Sequence, residues 1–282
     1  MTIGRTHCVV IWALLLCACS PKTSAPERPS TPRIISLAPA LTSILFGLGL
    51  GPQVVGVTRF CDDPPEAQTR AIVGGFSNPD LEAILSLRPT LVIGGRNPVT
   101  AALVNRLDER GVASLLLPQD TLESTYAAIT AIGKATSVSE AALALSETTR
   151  SRVRVAAEAA TPGLKGRRVL LVYGRRPLVV AGRGSYGDEL LNLVGAVNVA
   201  AGLTVAYPEI TAEEVLRLSP ELVIDADMAG DDALGLWKTM PGSERRRVVR
   251  VNHPGLLQPG IRAPEGLSAL AAALAQPDPF SP

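Results

Sequence analysis

Two stretches of this chain repeat one another. Val73 to Gly95 reads VGGFSNPDLEAILSLRPTLVIGG, and Tyr207 to Ala226 reads YPEITAEEVLRLSPELVIDA. With Pro89 set over Pro220, an offset of 131 residues, Asp80 falls on Thr211 and Glu82 on Glu213. Ile84 falls on Val215, and Leu91-Val92-Ile93 on Leu222-Val223-Ile224. Asp80 and Thr211 are N-cap types, whose side-chain oxygens accept from free backbone N–H groups. A short helix follows, a proline ends it, and an apolar β-branched run reads as a buried strand. A weaker pair precedes each copy: TSILFGLGLG from Thr42 and DELLNLVGAVN from Asp188 read as N-capped helices closing on Gly49 and Gly195. A repeat of so long a period is a duplicated lobe rather than a solenoid unit.

The elements between the copies support this. From Arg33, strands RIISL, QVVGVT, TLVIGG and VASLLL alternate with helices, which implies a mostly parallel sheet covered on both faces. The rhythm breaks at Thr121, where helical composition continues to Ala160. Its second part, from Ser139 to Ala160, spans 22 residues, or about 33 Å of helix, and TPGLKG is expected to end it. Alternation resumes with RRVLLVY, PLVVAG, ELVIDA and RVVRV, and PEGLSALAAALA is the last helix. The expected fold is α/β: two pseudo-symmetric lobes joined by one long helix, with a cleft between them. The divisions are an N-terminal lobe over 33–118, a helical connector over 119–163 and a C-terminal lobe over 164–282. A single rigid crossing predicts little hinge motion.

The N-terminus reads as an export signal. Arg5 precedes an apolar run from Val9 to Leu16, too short to span a bilayer and suited to a secretory leader. It ends in Leu16-Cys17-Ala18-Cys19, which resembles a bacterial lipobox. The expectation is a leader over 1–18, a diacylated Cys19 as mature N-terminus, and a polar Pro/Ser-rich tether over 19–32. Ordinary cleavage after Ala18 is the alternative. Lipidation would hold the body beside a membrane, in the periplasm or at the cell surface. With Arg5 removed, the 27 basic residues fall to 26, matching the 26 acidic ones. A neutral body lacks the basic excess of a nucleic-acid binder. Cys61 is left as the lone cysteine of that body, so no intrachain disulfide is expected.

Catalytic chemistry is sparse. GRGSYG from Gly182 satisfies G-x-G-x-x-G, but it sits mid-chain after a long helix, so its glycines read as turn residues and Ser185/Asp188 as a capping box. Ser185 has Arg183 where a nucleophile elbow needs glycine. His253 is the only histidine outside the leader, which leaves no triad and no His/Cys metal cluster. Carboxylate pairs such as Asp62-Asp63 or Asp225/Asp227 keep one rival open, an exported hydrolase working in the cleft. What remains is loop chemistry at strand ends. Only 4% of the chain is aromatic, yet Phe60, Phe76, Tyr186 and Tyr207 fall in such loops, with Arg96 and Arg262. Aromatic planes with a few arginines suit a flat, bulky, polar-edged ligand.

RIISLAPALTSILFGLG, VVGVTRFCDDPPEA, VGGFSNPDLEAILSLRPTLVI, YPEITAEEVLRLSPELVI and QPGIRAPEGLSALAAAL together resemble the periplasmic binding proteins of ABC importers for cobalamin, haem and ferric siderophores. The likeness runs from Arg33 to about Ala275 and is nearest the cobalamin branch. It implies a non-enzymatic carrier with no resident cofactor or metal, whose cargo is a corrinoid, with haem or a ferric siderophore as alternatives. It places Asp63 and Phe76 on the N-lobe side of the cleft, Tyr207 on the C-lobe side and Arg262 at the rim. For haem, Tyr186 or Tyr207 would serve as axial ligand. The branch commonly carries an aromatic where Asp63 and Gly95 stand, so this chain offers fewer stacking planes. The resemblance also gives the repeat a purpose. Glu82 and Glu213 match the two carboxylates that dock on a two-fold permease dimer, itself coupled to ATPase subunits.

Overall fold

The computed structural model describes residues 31–227, 233–241 and 246–277. The leader, Cys19 and most of the tether lie outside the described residues.

The N-terminal lobe runs β1 (Ile34–Ser36), α1 (Pro39–Gly47), β2 (Val54–Val57), β3 (Ala71–Ile72), α2 (Leu81–Ser86), β4 (Leu91–Gly95), α3 (Pro98–Asp108) and β5 (Ala113–Leu117). All pairings are parallel, in the order β3-β2-β1-β4-β5. Connector helices α4 (Leu122–Ala135) and α5 (Ser139–Leu164) follow. The C-terminal lobe contains β6 (Arg168–Arg175), β7 (Leu178–Val180), α6 (Tyr186–Leu193), β8 (Val197–Asn198), α7 (Ala212–Leu218), β9 (Leu222–Asp225), α8 (Ala233–Thr239), β10 (Arg247–Arg250) and α9 (Ala263–Leu274). Its sheet order is β10-β9-β6-β7, with β8 also on β6.

The repeat is visible as topology. β4 and β9, the strands of the two copies, each pair in parallel with the first strand of their lobe, β1 or β6. β5 and β10 then flank them. Asp80 caps α2 by accepting from the Glu82 and Ala83 amides, and Thr211 caps α7 by accepting from Glu214. The lobes differ at the far edge. The N-lobe adds β2 and β3 in parallel, whereas β7 pairs with β6 antiparallel.

Three expectations need correction. α1 begins at Pro39 after Ala38, not at Thr42, because the proline supplies a preset φ and needs no amide partner. α6 is capped by Ser185, as the capping-box reading has it, and so begins at Tyr186 rather than at Asp188. Asp188 does reach back, but its carboxylate accepts from the Gly184 amide. α5 ends inside TPGLKG as expected, but past Ala160. It runs 26 residues, about 39 Å, through Pro162 to Leu164. The chain then breaks at Gly166, whose φ of +74° suits glycine.

The largest core cluster is continuous across both lobes. It holds Ile34, Leu41 and Ile93 from the first, Ile129, Val153 and Ala157 from the connector, and Val169, Leu171 and Leu267 from the second. Two smaller clusters sit on the outer side of each sheet. α5 packs chiefly on α9 and α4. Among the described residues, no helix is long and apolar enough to cross a membrane.

Candidate functional site

In the N-lobe sheet the chain leaves β1 toward β2 on one side and returns to β4 on the other. Parallel strands that part in this way open a crevice at their carboxyl ends. Ala38, Pro39 and Ala40 follow β1 into that crevice; Gly95 ends β4, and Arg96 and Asn97 follow it. With Phe60, Phe76, Gln119 and Asp120 they line a cavity of about 510 Å³, which Gln258 and Pro259 close from the C-lobe.

Local chemistry fixes each loop. Thr42 Oγ1 donates to Ser36 Oγ at 2.8 Å, tying the β1 loop to α1. Asn97 and Thr100 form a capping box at the start of α3, which sets the bend bearing Arg96. Gly74, at φ +105°, begins the turn carrying Phe76; a side chain there would meet the Asn78 carbonyl at 2.5 Å. Cys61 is buried, with Sγ 3.1 Å from Thr58 Oγ1, and anchors the loop carrying Phe60 and Asp63. Both phenylalanine rings remain open, Phe60 54% and Phe76 43% exposed.

Asp63 and Arg262 meet as an ion pair across the two lobes. They line a small recess that shares Pro39, Ala40, Gln258 and Pro259 with the cavity. Tyr207 is exposed on the C-lobe, edge-on to Tyr173 with ring centroids 5.4 Å apart, and is not among the residues lining the cavity. Its hydroxyl accepts from the Tyr186 amide at 3.5 Å.

Tyr186 departs from expectation. Its ring is fully buried in the shared core, and burial pushes its phenol well above the usual range. The hydroxyl donates to the Gly255 carbonyl at 2.8 Å, so it holds the turn leading to Gln258 and Arg262 instead of reaching a ligand. His253 lies in the same turn. Burial, then the Arg262 charge, push its imidazole below the usual value.

Glu82 and Glu213 occupy the exposed first turns of α2 and α7. Each helix turns tightly into its strand, so its N-terminus lies toward the strand's carboxyl end. Both carboxylates therefore belong to the cleft-facing ends of their lobes. The Thr211 hydroxyl holds Glu213 below the usual carboxylate range.

Sequence reasoning missed Ala38–Ala40, Asn97, Gln119, Gln258 and Pro259. Position directly after a strand was the signal available for Asn97 and Gln119. Among the described residues no group of three or more His, Cys, Asp or Glu could hold a metal ion.

Known proteins agree with this architecture. A family model described as periplasmic binding protein matches residues 34–245. The vitamin B12-binding protein of Salmonella typhimurium is 32% identical over 202 residues, covering 72% of this chain and 75% of that protein. YvrC of Bacillus subtilis, an ABC transporter substrate-binding lipoprotein, is 28% identical over 257 residues, 88% of this chain and 81% of its own. Among solved structures, the apo form of the periplasmic heme-binding protein RhuT from Roseiflexus superposes with a TM-score of 0.75 at 27% identity, covering 86% of this chain and 98% of that one. These relatives are binding proteins, not enzymes. With a two-lobed fold, a crevice at the strand ends and a family match over most of its length, this chain belongs to the periplasmic binding protein family.

Proposed function

We propose that the chain is the lipid-anchored solute-binding component of an ABC importer and carries a corrinoid. The observation that supports this cargo is the cavity's composition. Two open phenylalanine rings stand beside amide side chains of Asn97, Gln119 and Gln258, with no tyrosine, histidine, cysteine or methionine among the lining residues. A haem carrier needs a side chain to take an axial position on iron, whereas a corrinoid brings its own axial ligands. Stacking faces and an amide rim suit its apolar macrocycle and amide periphery. The kinship with a vitamin B12-binding protein points the same way.

In this reading residues 1–18 are removed, Cys19 carries the acyl anchor, and residues 19–32 tether the lobes beside the membrane. Phe60, Phe76 and Arg96 hold the cargo from the N-lobe, and Gln258 and Pro259 meet it from the C-lobe, while Tyr207 stays outside the cavity. Asp63 and Arg262 close the side of the cleft. Glu82 and Glu213 each engage one subunit of the permease, and the neutral body binds no nucleic acid. Titration of the mature chain with cyanocobalamin, haemin and a ferric siderophore, followed by visible absorption and calorimetry, tests the assignment. Tight binding of cyanocobalamin alone, recovered unchanged, is expected. Preference for haemin or the siderophore overturns the corrinoid reading, and turnover of any bound compound overturns the carrier reading.

A further inference from the structure

Asp63 and Arg262 stand 199 positions apart and come from opposite lobes. Arg262 Nη1 donates to Asp63 Oδ1, and Ser43 Oγ donates to Asp63 Oδ2 at 3.0 Å, so both carboxylate oxygens are engaged. His253 cannot share the arginine. Its Nδ1 accepts from the Gly255 amide at 3.0 Å, which places the neutral ring's proton on Nε2. That Nε2 faces Arg262 Nη2 at 3.3 Å, donor against donor. Asp63 is therefore the counter-ion of Arg262.

The charges around the cleft extend the point. Arg96 and Arg262 line the cavity and its adjoining recess, against Asp62, Asp63 and Asp120. Cations are outnumbered. From this arrangement we infer that Asp63 is a specificity-determining residue: by neutralising Arg262 it makes the cleft accept a ligand edged with neutral amides and reject one edged with carboxylates. The inference rests on the reading of the chain as a solute carrier. A ligand carboxylate arriving at Arg262 must displace Asp63. It exchanges one charge-assisted hydrogen bond for another and then lies beside the displaced anion. An amide carbonyl accepts from a spare guanidinium N–H and leaves the pair intact.

The test uses two pairs of probes that differ in edge charge. Dicyanocobinamide and dicyanocobyrinic acid carry one macrocycle edged by amides or by carboxylates. Haemin and its dimethyl ester form the second pair. Affinities are measured for the mature chain, for Asp63→Asn and for Arg262→Gln. The parent is expected to bind the uncharged-edge member at least about tenfold tighter. Asp63→Asn should narrow that ratio about tenfold by strengthening the carboxylate member, and Arg262→Gln should widen it. Opposite signs separate this from misfolding, which weakens both members together. An unchanged ratio in Asp63→Asn, or a parent preference for the carboxylate member, overturns the inference. If only the haemin pair binds and follows the rule, the filter stands and the corrinoid assignment falls. If no probe binds the parent or either variant, both fall.

Discussion

Truncating the two cavity phenylalanines should remove affinity while sparing the fold. Phe60 is 54% exposed and Phe76 43%. A phenylalanine presents roughly 200 Å² of surface, so about half of that, ~100 Å², is open on each ring. A flat ligand lying on one face covers about half of the open area, or ~50 Å². At about 25 cal/mol per Å² this is worth ~1.3 kcal/mol, close to tenfold in Kd per ring. Phe60→Ala and Phe76→Ala should each weaken the cargo about tenfold. The double variant should weaken it about 50- to 100-fold, with some shortfall where both rings touch one patch of ligand. Because the rings already face water, unfolding free energy should move by less than about 0.5 kcal/mol. Calorimetric titration and urea unfolding on the same samples give both quantities. A double variant that binds within threefold of the parent would refute the stacking role. Loss of affinity matched by loss of stability would mean that the rings serve the fold.

Other perturbations separate docking, pH response and packing. Glu82→Ala combined with Glu213→Ala should leave ligand affinity unchanged and cut uptake in cells; full uptake by the double variant would remove these residues from the permease interface. His253 titrates below its ordinary value of 6.5 in the folded chain because burial and then Arg262 oppose its charge. Between the folded value and 6.5 the unfolded state binds more protons, so stability should fall as pH drops below 6.5 and stay flat above it. His253→Asn should flatten that slope in urea unfolding between about pH 5 and 7.5, and parallel curves for the two proteins would exclude the linkage. Gly133→Ala would put a methyl carbon 2.3 Å from Ala142 Cβ, where α4 meets α5. The clash should cost about 1–3 kcal/mol and outweigh the ~1 kcal/mol gain in helix propensity; a higher melting temperature would contradict the close approach.

The repeat, the caps and the long connector were legible because they are written in short-range signals. Asp80 and Thr211 sit where a helix needs an acceptor, Pro89 and Pro220 where it must stop, and Leu91–Ile93 and Leu222–Ile224 where a buried strand begins. What the residues left unread depends on distance or orientation. The antiparallel course of β7 follows from its connection: Arg176 and Pro177 alone separate it from β6, too short for a parallel crossover, but this shows only once β6 is known to run on to Arg175. The helix ALGLWKT was not foreseen, although its Trp237 is fully buried and donates to Asp225 at 2.7 Å. Tyr186 looked like a ligand contact because it follows a strand, but its place in the first turn of α6 aims it into the core. Eight of the twelve residues lining the cavity are alanine, proline, glycine or amides, types whose chemistry does not announce a site. Asp63 was singled out, yet its partner lay too far along the chain to be paired with it.

Helix α5 has a mechanical consequence. Spanning about 39 Å and leaning on helices tied to each half, it acts as a splint. A splinted carrier is expected not to snap shut like a jaw to advertise that it is loaded. Its outline in solution should be nearly the same full or empty, and small-angle scattering would record that constancy. If that constancy is recorded, whatever machine receives the cargo has to sense occupancy at the mouth, by touching the rim loops and the freight between them, and to supply from its own side the force that parts the two halves.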